Sequence, residues 1–382
     1  MLPQGRGRQE LLRHLGKSPT ANESGDWPLL LAGAGNPIGN LRVKEAATWL
    51  AASSGHRRGF TDEEVATLGV NFFEHLQPLG PSMAGSAGIQ GEWPKILLTR
   101  ARDGLLYLDH TLPDEQAVEH YIVKFAHGRD PQLATIFRHE TAYMALAERL
   151  KLRVHARLVL RGQALFIRRF DRQVHEGQVI RLAQESIATL TGMPGFDAVP
   201  THDQVCRELL RHCTAPQTEV LEYLKRDVAN LAVGNKDNHA RNTALQRNFE
   251  GHIALTPLFD FAPMYQHPDG IARRIRWEGN EHGRIDWGRV LDRVCALATE
   301  VAEEEGRGEG RLNRVTLVAG LQEMVQPLRE IAKEGIAMGL DPEVHALLYR
   351  GFEKLADELG AILYPALGTR RSGGCMAVPL KS

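Results

Sequence analysis

The run Tyr121-Ile122-Val123-Lys124-Phe125 has the β-branched and aromatic content of a buried strand, yet it holds a lysine. Such a lysine either snorkels from a sheet edge or points into a cleft towards a carboxylate or phosphate. Downstream, the spacing predicts an amphipathic helix over 131–152, with Leu133, Ile136, Phe137, Met144, Ala147 and Leu150 on one stripe. Glu140 falls on that apolar stripe. Burying a carboxylate unpaired is costly, so Glu140 either reaches water at the margin of the stripe or pairs with Lys124 on the preceding strand.

A second polar group follows a helix expected over 218–233, where Val220, Leu221, Leu224, Val228 and Leu231 recur at helical spacing and Gly234 stops the run. The loop Asn235-Lys236-Asp237-Asn238-His239-Ala240-Arg241-Asn242 sets an aspartate and an asparagine five positions apart (242 − 237 = 5). This is the D-x-x-x-x-N spacing of kinase catalytic loops, in which the aspartate accepts the proton of the acceptor hydroxyl and the asparagine reaches a magnesium ion on the phosphates. Aspartate and asparagine are also ordinary turn residues, so the spacing alone is a weak signal. Two strand-like runs at 243–246 and 252–256 can pair as a hairpin and lead into Pro257-Leu258-Phe259-Asp260-Phe261-Ala262, where Asp260 stands in the place of the D-F-G metal ligand. Lysine, glutamate, Asp/Asn loop and metal aspartate thus occur in the kinase order.

Composition narrows the classes that remain. The chain has 382 residues, 43% of them apolar, which suffices for two domains with real cores. Its formal charge of −1 offers no bulk attraction to nucleic acid or anionic membrane, and no direct DNA binding is expected. Cys206, Cys213, Cys295 and Cys375 lack both zinc spacing and disulfide density, which points to a reducing cytoplasm. No apolar run reaches the ~18 residues of a membrane span, and the start lacks the apolar core of a signal peptide. The sixteen histidines include no H-E-x-x-H spacing, so a metalloprotein reading does poorly. The Gly- and Ser-rich stretch 80–91 leaves the backbone free to approach a ligand, but by itself it reads more readily as a flexible surface loop.

The run Gly234-Asn235-Lys236-Asp237-Asn238-His239-Ala240-Arg241-Asn242 resembles the G-N-x-D-x-H-x-x-N loop of HipA-like kinases, the toxins of bacterial toxin–antitoxin pairs. Tyr121 to Lys124 resembles the family's ATP-contacting strand, Arg169-Phe170-Asp171-Arg172 its hinge, Pro257 to Asp260 its metal element, and Ser82-Met83-Ala84-Gly85 its phosphate loop. The resemblance implies an ATP- and Mg²⁺-dependent serine/threonine protein kinase. Asp237, His239 and Asn242 would be catalytic, and Asn242 and Asp260 would hold the metal. Ser82, Ala84, Gly85, Lys124, Glu140, Arg169 and Phe170 would contact ATP, and Ser82 or Ser86 would be autophosphorylated. It also implies a protein substrate such as an aminoacyl-tRNA synthetase, and a HipB-like antitoxin or a small protein resembling the family's N-terminal subdomain as partner. The abrupt start at Met1-Leu2-Pro3 suggests that such a protein supplies the first strands. The chain departs from the family in having Arg169 where a glutamate is common at the hinge, and in a longer phosphate loop.

The fold expected is α+β: a two-lobed protein-kinase-like architecture with an antiparallel sheet in the N-terminal lobe and a mainly helical C-terminal lobe. The boundaries expected are an accessory subdomain at 1–75, a sheet lobe at 76–169, a helical lobe at 170–367 and a disordered tail at 368–382. A strand is expected at 164–168 and further helices at 203–212, 315–334 and 342–359. The alternatives are a kinase of small molecules or lipids, which uses the same parts, and a pseudokinase that binds ATP or an antitoxin without transferring phosphate.

Overall fold

The computed structural model describes residues 5–18, 25–53, 57–76, 93–126, 128, 130–193, 199–279, 284–308 and 310–363. The Gly-rich loop and the tail expected after residue 367 lie outside them, and with them Ser82, Ala84, Gly85 and Ser86.

Among the described residues five α-helices come first: α1 (Gly5–His14), α2 (Asp26–Gly33), α3 (Lys44–Ser53), α4 (Asp62–Leu68) and α5 (Phe72–Leu76). They do not share one core. Leu11, Leu12, Leu29, Ala32 and Leu50 of α1 to α3 bury against one another, whereas Val65, Phe72 and Leu76 of α4 and α5 pack with Phe60 into the core of the sheet that follows. Thr61 begins α4 with a reciprocal cap, its hydroxyl accepting from the Glu64 amide while the Glu64 carboxylate accepts from its own.

That sheet comprises β1 (Lys95–Ala101), β2 (Leu106–Leu108), β3 (Ala117–Phe125), β4 (Val159–Arg161) and β5 (Ala164–Arg168), in the order β2-β1-β3-β5-β4 with every pairing antiparallel. β3 is the central strand, which puts Lys124 in the middle of the sheet and removes the edge-strand explanation for it. Between β3 and β4 runs α6 (Pro131–Arg149), started by Asp130, whose carboxylate accepts from the Gln132 amide, and by a proline in its first turn.

The second lobe is mainly helical, as expected: α7 (Ile187–Leu190), α8 (His202–His212), α9 (Pro216–Ala232), α10 (Trp287–Glu304), α11 (Arg314–Gln322), α12 (Val325–Glu334) and α13 (Pro342–Gly360). The single helix expected over 315–334 is two, because Pro327 lacks an amide hydrogen and its ring would clash with the carbonyl of Glu323, so the helix restarts with Pro327 in its first turn. Strands β6 (Arg172–His175) and β7 (Gln178–Arg181) form a hairpin, and β8 (Ala183–Ser186) joins the expected hairpin of β9 (Ala244–Arg247) and β10 (Ile253–Leu255) as a third strand. The core of this lobe takes in the second half of α6, with Tyr143, Leu146, Ala147 and Leu150 buried among residues of α8 to α13. The helix bearing Glu140 is therefore rooted in the lower lobe.

Arg169, expected at the hinge, directs its side chain into an ion cluster. Its side chain is fully buried, with Nε donating to Asp171 Oδ1 at 2.9 Å, one terminal nitrogen to Asp171 Oδ2 at 2.8 Å and the other to Asp109 at 3.3 Å. Arg172 completes the cluster, donating to Asp171 at 2.6 Å and to the carbonyls of Gly39 and Pro37 at 2.9 and 3.0 Å. The Gly39 amide donates to Asp171 and the Asn36 side chain to Asp109. Two arginines and two aspartates, all buried, thus fasten the stretch 36–39 to the junction of the lobes. Burial pushes the Asp109 carboxyl up, but Arg169, His120 and Arg172 together outweigh it and hold the group well below the usual carboxylate range. Asp171→Ala removes the carboxylate that both buried guanidinium groups share, and urea unfolding should register a loss of ~3–5 kcal/mol. A loss below ~1 kcal/mol, the scale of a surface pair, would show that the cluster does not hold this junction.

Candidate active site

Lys124 and Glu140 meet at 2.6 Å, and both are buried, at 3% and 1% exposure. The Lys124 ammonium also lies 3.6 Å from Asp260 Oδ1, so a central sheet strand, α6 and the segment after β10 converge on one cation. Burial depresses the Lys124 ammonium, but Glu140 and Asp260 outweigh it and the net shift is upwards, so it is charged when the site works. Trp93 faces the same ammonium, 5.4 Å from its ring centroid, and stacks on Phe137 of α6.

The register of β1 with β3 sets Lys95 directly opposite Lys124. Like charges opposed across a sheet destabilise it unless anions face them. Here Glu140 and Asp260 supply those anions. Burial holds the Lys95 ammonium below its ordinary range, with Asp260 acting against that and Lys124 reinforcing it. Desolvation pushes the Asp260 carboxyl up, but Lys95 and Lys124 overbalance it and hold the group down at about 2. Two cations on the sheet above a carboxylate below form a pair of jaws suited to a polyphosphate that carries a divalent cation.

Asp260 also has a positive φ of 56°. Among the described residues the other non-glycines of this kind are Lys151, just past the end of α6, and Glu176, in the turn between β6 and β7. Asp260 serves neither a helix end nor a hairpin, and strain kept outside such turns marks a position where the direction of the side chain matters.

The catalytic-loop candidate is built on the end of α9. Asn235 is tied back to Asn230 by amide and side-chain bonds, both 2.9 Å, and its Oδ1 accepts from the Asp237 amide at 3.3 Å. The Asn242 side-chain amide donates to the Asp237 carbonyl at 3.0 Å, which leaves the Asn242 carbonyl oxygen for a cation. From the lobe junction, the amides of Ile187 and Ala188 donate to the carbonyls of Thr243 and Ala240. Asp237 is held by its backbone and lines a small cleft together with Asn238, Asn242, Phe259 and Asp260. His239 lies 3.7 Å from the Asp237 carboxylate. Burial lowers the His239 imidazole, Asp260 opposing, so at neutral pH it is the uncharged form that sits beside Asp237.

The profile of the HipA-like C-terminal domain family matches residues 87–319, well over half of the 382. The chain belongs to that family. Among proteins of known sequence it is similar to "Putative kinase Y4mE" of Sinorhizobium fredii (strain NBRC 101917 / NGR234), 30% identical over 209 residues, which are 50% of this chain and 47% of that protein. This HipA-like chain thus spans about half the length of the curated relative it matches. Among solved structures it is similar to HipA from the Shewanella oneidensis MR-1 toxin–antitoxin complex of HipA, HipB and operator DNA, with a TM-score of 0.58, 19% identity, and coverage of 94% of this chain and 83% of that one. At that identity the likeness is one of fold: the two-lobed, kinase-like architecture.

Of the residues expected in the site, Asp237, Asn242 and Asp260 of this HipA-like chain line one cleft, Lys124 with its partner Glu140 reaches Asp260, and His239 lies beside Asp237. Phe170 lies at the lobe junction, half-buried, with its ring 5.9 Å from Phe259 beside Asp260. Arg169 belongs to the ion cluster described above. Lys95 was missed, since Pro94-Lys95 reads merely as the start of an apolar strand and the pairing register alone sets it beside Lys124. Among the described residues no three of His, Cys, Asp and Glu cluster as a metal site. The donor set fits Mg²⁺ all the same, because that ion takes one or two protein oxygens and completes its shell with water and substrate phosphates. Asp260 and Asn242 would hold it.

Lys124→Met strands Glu140 in the interior and should cost ~3–5 kcal/mol in denaturant unfolding, while the double change Lys124→Met with Glu140→Leu should recover most of the loss. A double variant as unstable as the single one would mean that the pair is not the reason for either residue.

Proposed function

We propose that this chain is an ATP-dependent serine/threonine protein kinase of the HipA-like toxin type. The observation that carries the reading is the convergence of two sheet lysines, a buried glutamate, a strained aspartate and a backbone-held Asp/Asn loop on one cleft between two lobes. Lys95 and Lys124 would bind the ATP phosphates, and Glu140 would keep Lys124 in place. Asp237 would take the proton of a serine or threonine hydroxyl as its oxygen attacks the γ-phosphorus; the bond from that phosphorus to the bridging oxygen breaks and ADP leaves. Mg²⁺ on Asp260 and Asn242 would neutralise charge that builds on the phosphates. His239, uncharged, suits the orientation of Asp237 better than metal ligation. Phe170 and Phe259 offer apolar faces at the lobe junction for the base.

We further propose a protein substrate in translation, such as an aminoacyl-tRNA synthetase, a cytoplasmic site of action, autophosphorylation at Ser82 or Ser86, and a HipB-like antitoxin as partner. The last is supported by the Shewanella fold relative, which was solved with HipB. Because Arg169 serves a structural cluster, its departure from the family's hinge gives no ground for a non-transferring reading.

Incubation with Mg-ATP and cell extract, followed by phosphoproteomics, tests the proposal. Asp237→Asn should lower transfer by ~10²- to 10⁴-fold while nucleotide binding persists. Equal transfer by wild type and variant would refute the assignment of the base, and label appearing only on small molecules or lipids would move the chain to the other kinase class.

A further inference from the structure

Glu140 and Tyr143 lie three positions apart on α6 and therefore project from the same side of it. Glu140 holds Lys124 in the sheet. Tyr143 reaches the lower lobe, where its hydroxyl donates to the carbonyl of Val233 at 2.8 Å. Val233 caps α9 and is the last residue before Gly234 and the loop bearing Asp237. The last carbonyls of a helix lack partners within it, so this bond satisfies a group that would otherwise be buried bare.

The Tyr143 ring is 0% exposed and lies 5.7 Å, centroid to centroid, from the ring of Phe261, the residue after Asp260. Tyr265 closes the group: its amide donates to the Gly234 carbonyl at 3.2 Å, and its ring packs so tightly that a Cβ on Gly234 would come within 2.6 Å of it. Burial first, with Tyr265 adding to it, pushes the Tyr143 phenol well above its usual range, so it remains a donor at any physiological pH. Around this one phenol α6, the entrance to the Asp237 loop, the residue after the metal aspartate and the segment beyond it are packed together.

We propose that Tyr143 is a positioning residue, which passes the placement of α6 by the Lys124–Glu140 pair on to the loop that carries Asp237. The proposal rests on the reading of Asp237 as the base. Phosphates drawn to Lys124 steady Glu140 and hence α6; through Tyr143 the same steadiness reaches Val233 and fixes where the Asp237 carboxylate meets its acceptor. Displacement of a reacting group by about 1 Å is enough to slow transfer without altering how the nucleotide is held.

The test uses the purified full chain, with water as the phosphate acceptor and release of inorganic phosphate from Mg-ATP as the readout. Tyr143→Phe keeps the ring and removes the hydroxyl. Its turnover should fall about 5- to 10-fold while the KM for ATP, and the affinity for a non-hydrolysable ATP analogue by calorimetry, stay within about twofold of wild type. Unchanged turnover, or a KM that rises in step with the loss, would overturn the proposal. Asp237→Asn is run in parallel. If it hydrolyses ATP at the wild-type rate the base assignment has failed, whereas an inactive Asp237→Asn beside a fully active Tyr143→Phe defeats the tyrosine proposal alone. Should Tyr143→Phe melt below the assay temperature, hydrogen exchange on the wild type decides. The Mg²⁺-bound analogue should slow exchange in 136–144 and 233–240 together, and slowing confined to 136–144 would count against the coupling.

Discussion

Neither the Lys124 ammonium nor the Glu140 carboxylate could rest in this interior by itself. At 3% and 1% exposure each would lose most of its hydration, and the other, at 2.6 Å, offsets much of that loss. Their contact has a second effect because of where each is rooted. Lys124 belongs to the central strand of the sheet, and Glu140 to a helix whose later turns are part of the lower lobe's core. The ion pair is therefore also a joint between the lobes. Asp260 approaches the same ammonium from below, so the separation of the jaws follows from electrostatic attraction as well as from the hinge.

Charge is nearly balanced at this joint. Lys95 and Lys124 face Glu140 and Asp260, and a triphosphate would enter with several negative charges while the metal brings two positive ones. A site of balanced charge keeps its ionised groups without a ligand and retains donors for one. This explains how a sheet tolerates two lysines side by side, which on an open surface would repel.

Much of this arrangement was legible in the sequence, and for identifiable reasons. A lysine inside an apolar strand and a glutamate on an apolar helical stripe each break a local pattern, and such breaks are readable without knowing what lies across the fold. The Asp237 and Asn242 pair and Asp260 were legible because short polar loops after an interrupted apolar rhythm keep their spacing whatever surrounds them. Lys95 was not, since its significance lies in strand register, a relation between segments more than 20 residues apart. The partners of Arg169 were not legible either: its neighbourhood in sequence matched a hinge, and two aspartates, one of them 60 residues away, take its guanidinium inwards. Strands β6 to β8 were invisible because they are four residues each, with polar and apolar positions mixed, and a pattern of that length carries almost no periodicity.

The ion cluster at the lobe junction separates two notions of a domain. The family profile matches 87–319, yet Asn36, Pro37 and Gly39 complete the hydrogen bonding of Asp109, Asp171 and Arg172, and α12 and α13, beyond residue 319, supply Leu328, Ile331 and Phe352 to the lower core. A segment cut at the limits of family likeness would carry unsatisfied charges at its top and bare apolar surface at its base. The stretch that completes the fold is thus wider than 87–319, because the flanking segments supply a carbonyl here and a hydrocarbon face there.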